Sequence, residues 1–193
     1  MYDKKDIEKL REVQTSSECI FDGVVLHVYR DGILLPDGKP AHREYIKHVG
    51  AVCVLPLTDA GEVICVRQYR YPFSDVLLEI PAGKLDAPDE DPYRAALREL
   101  REETGAECET LTYLGKYYGS PALIGETIYM YLAEGLRFGE LDLDEDEFLE
   151  VERIPLATLV DEILAGNVPD GKTQAAVLRA KLMLERRQGS VPC

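Results

Sequence analysis

An α+β fold, with helices layered on both faces of a mixed β-sheet and an N-terminal β-hairpin subdomain beside it, is predicted by three observations. Strand-like and helix-like segments alternate irregularly along the 193 residues, which argues for an α/β/α layering rather than a parallel βαβ array. The run 45–57, YIKHVGAVCVLPL, is almost continuously apolar, the pattern of a strand covered on both faces. Between strands sits one helix with clear start and stop signals: Asp91 as N-cap, Pro92 at the first helical position and Gly105 as left-handed cap.

The elements follow in order. Residues 3–13 read as a short polar helix or lead, and 18–30, ECIFDGVVLHVYR, as a strand that turns at Asp31-Gly32 into a hairpin. After the 45–57 strand, the turn DAGE leads into 63–70, expected to pair back on it. A short strand, 76–80, then delivers the chain to Pro81-Ala82-Gly83. Beyond Gly105, the β-favouring tyrosines mark strands at 111–118 and 127–132, with another at 148–154. Two helices, 155–165 and about 173–187, close the chain. Residues 1–44 are expected to form the N-terminal lead and hairpin subdomain, and 45–193 the main domain.

Composition narrows the partners. A formal charge of −14 argues against a nucleic-acid backbone or an anionic membrane, because both require a basic face. The five cysteines form no Cys-x-x-Cys or Cys/His cluster, and Cys53 and Cys65 lie in apolar runs, which suits buried free thiols and a reducing cytoplasm. The charged start MYDKKDIEKLREV is not a signal peptide, and no apolar run approaches membrane-spanning length.

The chemistry is concentrated on the Asp91–Gly105 helix. Tyr93, Ala96, Leu97 and Leu100 form an apolar stripe, while Glu99, Glu102 and Glu103, at i, i+3 and i+4, crowd a neighbouring face. Like charges at that spacing cost roughly 0.2–0.5 kcal/mol per pair, and a divalent cation reverses the sign. Mg²⁺ is the natural choice, since it takes oxygen ligands and bridges carboxylates to substrate phosphates. An ordinary acidic helix face is only a solvated face, so the spacing has to carry the argument.

That spacing, Arg98-Glu99-Leu100-x-Glu102-Glu103-x-Gly105-Ala106 with Glu90 separated from Arg98 by seven residues and Gly83 ahead of the loop, resembles the signature of the Nudix hydrolases. One departure stands out: six residues, not the usual five, separate Gly83 from Glu90, so the role of Glu90 is open against Asp89. The order EIPAGKL, helix, SPALIGETIYMYLAEGL, DEDEFLEVERIPL and DGKT is similar to the ADP-ribose pyrophosphatase branch over roughly residues 17–187. The resemblance implies a Nudix-type sandwich and hydrolysis of ADP-ribose to AMP and ribose 5-phosphate, with Mg²⁺ as cofactor and Mn²⁺ as its substitute. Relatives acting on GDP-mannose share the frame.

Residue by residue, the resemblance implies that Glu99, Glu103, Glu102 and the Ala82 carbonyl hold the metal and that Arg98 pairs with the glutamates of the signature. Arg70, Arg67, Arg43, Glu79 and Pro121 fall to substrate binding. In the acidic run 142–147, Glu147 is the expected base and Glu145 its understudy, on a loop able to swing in. Tyr69, Tyr71 and Phe73 are either packing or a stack for adenine. His27, His42 and His48 lie outside the signature. The branch further implies a homodimer that exchanges its N-terminal strands. A different class of protein, a binding module that senses ADP-ribose without cleaving it, is disfavoured because all three helix carboxylates are present.

Overall fold

The computed structural model describes residues 4–139 and 148–189. The described chain divides into two compact units. One runs to His48 and includes Ser120–Glu126; the other comprises Val49–Gly119 and the chain from Thr127 onward.

In the first unit a short helix α1 (Lys4–Leu10) precedes three antiparallel strands in the order β1 (Val13–Asp22), β2 (His27–Leu34) and β3 (Pro40–Lys47). The β1–β2 turn lies at Gly23–Leu26, where Gly23 N–H donates to the Leu26 carbonyl at 2.9 Å. Asp31-Gly32 is therefore not the predicted turn but lies inside β2, opposite Ser17 and Ser16. Gly32 is explained by close approach: a Cβ there would fall within 3.0 Å of the Ser16 hydroxyl, beside a bulge in β1.

The second unit begins where the predicted 45–57 strand breaks. Gly50, at φ 111°, ends the continuity, and β4 (Ala51–Pro56) starts afresh. β5 (Glu62–Arg70), β6 (Asp75–Glu79) and the short β7 (Ala82–Lys84) follow. The signature helix is α2 (Pro92–Thr104), and β8 (Ala106–Tyr117), β9 (Ile128–Phe138) and β10 (Leu149–Pro155) come after it. α3 (Leu156–Leu164) and α4 (Gly171–Arg187) complete the unit. The expected β4–β5 hairpin does not form. β4 pairs with β7 and, in parallel, with β9, giving a mixed sheet β7-β4-β9-β8, and β5 sits between β10 and β6 in a second, antiparallel sheet. Of the hairpin there remain the isolated bridge Leu57 to Val63 and the turn, in which Thr58 N–H donates to the Glu62 carbonyl and Gly61 N–H to the Thr58 carbonyl, each at 2.9 Å. The reason is burial: all six residues of β4 are buried, so it needs partners on both edges and cover on both faces, which a two-residue turn to β5 cannot supply.

The period of two along β4 and β9 divides the core. Val52, Val54, Tyr131 and Ala133 face α2, meeting Ala95, Ala96 and Leu100. Cys53, Leu55, Met130 and Leu132 face the opposite way, against Leu159 of α3, Ala176 and Val177 of α4, Val63 of the second sheet and Ile80 just after β6. The sheet is thus a layer between α2 and the α3–α4 pair, as predicted. The helix signals hold: the Asp91 side chain accepts from Tyr93 N–H at 3.0 Å, Pro92 opens α2, and Gly105, at φ 65°, donates to the Arg101 carbonyl. Among the described residues no helix is long and apolar enough to cross a membrane.

Candidate active site on the signature helix

α2 projects its carboxylates toward β7. Glu99 and Glu103 are buried, at 7% and 3% relative exposure, because the helix packs its stripe on β4 and tucks this flank under that strand. The Ala82 N–H donates to Glu103 Oε2 at 3.2 Å. Gly83 lies directly against the Glu99 carboxylate, so that a Cβ on residue 83 would fall well within 3.0 Å of it. Only glycine leaves room for that carboxylate.

Arg98 gathers the remaining acidic groups. Its Nη1 donates to Glu99 Oε1 at 2.7 Å and Glu102 Oε2 at 3.0 Å, and its Nη2 donates to the Lys84 carbonyl at 3.2 Å. Glu90 Oε1 stands 3.7 Å from Nη2, while its other oxygen accepts from Asp86 N–H at 2.6 Å. Glu90, rather than Asp89, thus meets the signature arginine despite the longer loop. Burial opposes the Arg98 charge, but Glu99 and Glu102 outweigh it and hold the guanidinium firmly protonated.

A second charged cluster lies across the loop. Arg70, at the end of β5, grips Glu79 with Nε and Nη2, each at 2.7 Å. Glu79, only 2% exposed, also binds the Lys172 ammonium, which in turn meets Asp170 at 3.1 Å. Burial pushes the Glu79 carboxyl up, but the Arg70 fork and Lys172 prevail and hold it below the usual glutamate range. For Lys172, burial pulls down and Asp170 and Glu79 pull up, with a net rise. Glu79 therefore stabilises the fold above its unfolded pKa of about 4.3, and that stabilisation is lost as pH falls through its lower folded value. Lys172 stabilises the fold below about pH 10.4 and loses this as pH rises through its higher folded value. Melting temperatures of the wild type are expected to drop between about pH 5 and 3 more steeply than those of Glu79→Gln; parallel curves would show that Glu79 does not contribute.

The other predicted residues are dispersed. Arg67 pairs with Glu152 at 2.6 Å, an exposed cross-strand pair between β5 and β10. In the first unit, Arg43 is held by Glu12, and Pro121 begins a turn in which Leu123 N–H donates to the Ser120 carbonyl. Tyr69, Tyr71 and Phe73 are exposed, so packing among the described residues does not account for them. Glu145 and Glu147 lie outside the described residues. Lys172 and Thr173 were missed as candidates; the only signal was the quoted DGKT, since a lysine looks solvated until the fold buries it.

Among the described residues no three His, Cys, Asp or Glu side chains converge into a finished metal cage. Glu99 and Glu102 each turn an oxygen to Arg98, and Glu103 turns one to Ala82 N–H. The donor set still fits a hard divalent cation. It offers oxygen ligands only, on one face of a rigid helix, against a loop whose glycine leaves the carboxylate its space.

An α/β/α sandwich with a carboxylate-bearing helix beneath a glycine loop defines a hydrolase of the Nudix class, and the chain belongs to the NUDIX family, whose domain matches residues 47–177. It is similar to the ADP-ribose pyrophosphatase of Bacillus subtilis (strain 168), 42% identical over 89% of this chain and 93% of that protein. It is also similar to the methanol dehydrogenase activator of Bacillus methanolicus, at 41% over 88% and 92%. Among solved structures, an ADP compounds hydrolase superposes with a TM-score of 0.80 at 25% identity, covering 94% of this chain and 97% of the other.

Proposed function

We propose that this chain hydrolyses the pyrophosphate bond of ADP-ribose, releasing AMP and ribose 5-phosphate, with Mg²⁺ or Mn²⁺ as cofactor. The observation that carries the reading is the seating of Glu99 and Glu103 against Ala82 and Gly83 of β7, with Arg98 spanning Glu99 and Glu102. Similarity to a named ADP-ribose pyrophosphatase over most of both chains supports the substrate.

Glu99, Glu102, Glu103 and the Ala82 carbonyl would hold the cation, which when bound neutralises charge on the pyrophosphate and acidifies a water. Arg98 keeps the carboxylates apart and aimed, because one guanidinium bridges two of them at fixed angles. Glu147, or Glu145, takes the proton of the attacking water; the water oxygen bonds to one phosphorus as the bridging P–O bond breaks in line, and the bridging oxygen leaves with the other phosphate. Arg70 and Arg67 would meet the phosphates and ribose, and Tyr69, Tyr71 and Phe73 offer exposed rings to adenine. The reading places the protein in the cytoplasm, where the buried thiols of Cys53 and Cys65, pushed up to about 12 by burial, stay reduced and inert. It also takes the working form to be a homodimer that exchanges its N-terminal strands.

A coupled phosphate assay tests it on ADP-ribose, GDP-mannose, ADP-glucose, NADH and a diadenosine polyphosphate. ADP-ribose is expected to be cleaved fastest, with activity abolished by chelator and restored by Mg²⁺. Preference for GDP-mannose would move the substrate assignment, and a raised melting temperature with ADP-ribose but no AMP would make the chain a binding module.

A further inference from the structure

Among the described residues Lys172 is the most deeply buried cation, at 9% exposure, and nothing in the hydrolysis reading uses it. Its ammonium is bound by Glu79 and Asp170, and Glu79 gives both oxygens to Arg70. Two cations and two anions are thus bonded in one cluster, with the Glu103 carboxylate near enough to act on Arg70 as well. Removing Lys172 would leave Glu79 with one partner and the cluster with excess negative charge, an arrangement that buried carboxylates do not hold still.

The geometry on the Arg70 side gives this cluster a direction. Nε and Nη2 are spent on Glu79, so the remaining donors of the guanidinium's five point along its far edge, and the side chain is 38% exposed. A free guanidinium edge of this kind takes a phosphate bidentately. The neighbouring residue of α4 reinforces the placement: Thr173 Oγ1 accepts from Ile80 N–H at 2.9 Å, holding the strand end that continues through Pro81 to Ala82 and Gly83. The first turn of α4 therefore grips the segment that leads into β7, on which Glu103 and Glu99 are seated.

We infer that Lys172 is a positioning residue for the pyrophosphate: by pinning Glu79 from behind, it fixes the direction in which Arg70 presents its free edge to a phosphate group. This rests on the reading of Arg70 as a phosphate-binding arginine. The buried lysine keeps its charge, since Asp170 and Glu79 together outweigh the burial that opposes it.

The test compares wild type, Arg70→Ala, Lys172→Met, Lys172→Gln and the double variant Arg70→Ala/Lys172→Met by kcat and KM for ADP-ribose, Kd for the non-hydrolysable α,β-methylene analogue, and Tm, with kinetics run well below each Tm. Both Lys172 variants are expected to raise KM and Kd about 10- to 100-fold with kcat within about threefold, and Lys172→Met is expected to add nothing in the Arg70→Ala background. Lys172→Gln, which keeps a donor, carries the test if the methionine variant is too unstable. A lower Tm with unchanged KM and Kd overturns the inference and leaves Lys172 structural. So does a fall in kcat alone. If Arg70→Ala itself leaves KM and Kd unchanged in an active wild type, the Arg70 reading fails and the inference with it. A wild type that neither cleaves ADP-ribose nor binds the analogue removes the functional reading altogether.

Discussion

Glu103→Gln is expected to lower kcat for ADP-ribose by on the order of 10³-fold, the loss of about 4 kcal/mol of stabilisation of the reacting phosphate, while Tm stays at or slightly above that of the wild type. The two effects separate for a structural reason. Glutamine has the same size, and its amide oxygen still accepts the Ala82 N–H, so the seat on the loop survives. The negative charge does not, and relief of repulsion from Glu99 and Glu102 on the same face offsets what is lost in hydrogen-bond strength. Initial rates across a Mg²⁺ titration, with a thermal melt of the same sample, check both halves. A kcat within tenfold of the wild type at saturating metal would remove Glu103 from the metal-binding set.

Gly83→Ala is expected to cost activity on the order of 10²-fold with little loss of stability. A methyl at residue 83 meets the end of the Glu99 side chain, not backbone, so the carboxylate swings aside and the fold survives. What is lost is the placement: displaced from its seat, Glu99 can no longer share a cation with Glu103. Weaker apparent Mg²⁺ affinity should accompany the fall in rate. A large drop in Tm with normal activity in the remaining folded protein would show that the glycine serves folding and not the carboxylate.

What was legible in the chain was local. Asp91, Pro92 and Gly105 delimit α2 because caps act within a turn of the residues they bond, and the Glu99-Glu102-Glu103 spacing reads as one face because helix geometry is fixed at short range. Pairing was not legible. The turn after Leu57 looks like a hairpin, but β4 takes β9 as its parallel partner, Ala51 opposite Ile128, because both strands are apolar on both faces and bury each other. Asp31-Gly32 looks like a turn and is a strand, since the glycine answers to Ser16 on a neighbouring strand.

The same division runs through the site. The sequence by itself determined the family, the helix with its carboxylates and the arginine that binds them, because each depends on spacings within one element. Only the tertiary structure decided that Gly83 is a seat for Glu99, that Ala82 meets Glu103, and that Lys172 lies buried behind Glu79. Lys172 and Glu79 are 93 residues apart in the chain. A charge so placed is read as solvated until packing removes the water, and which charges lose their water is a property of the assembled core, not of any stretch of chain.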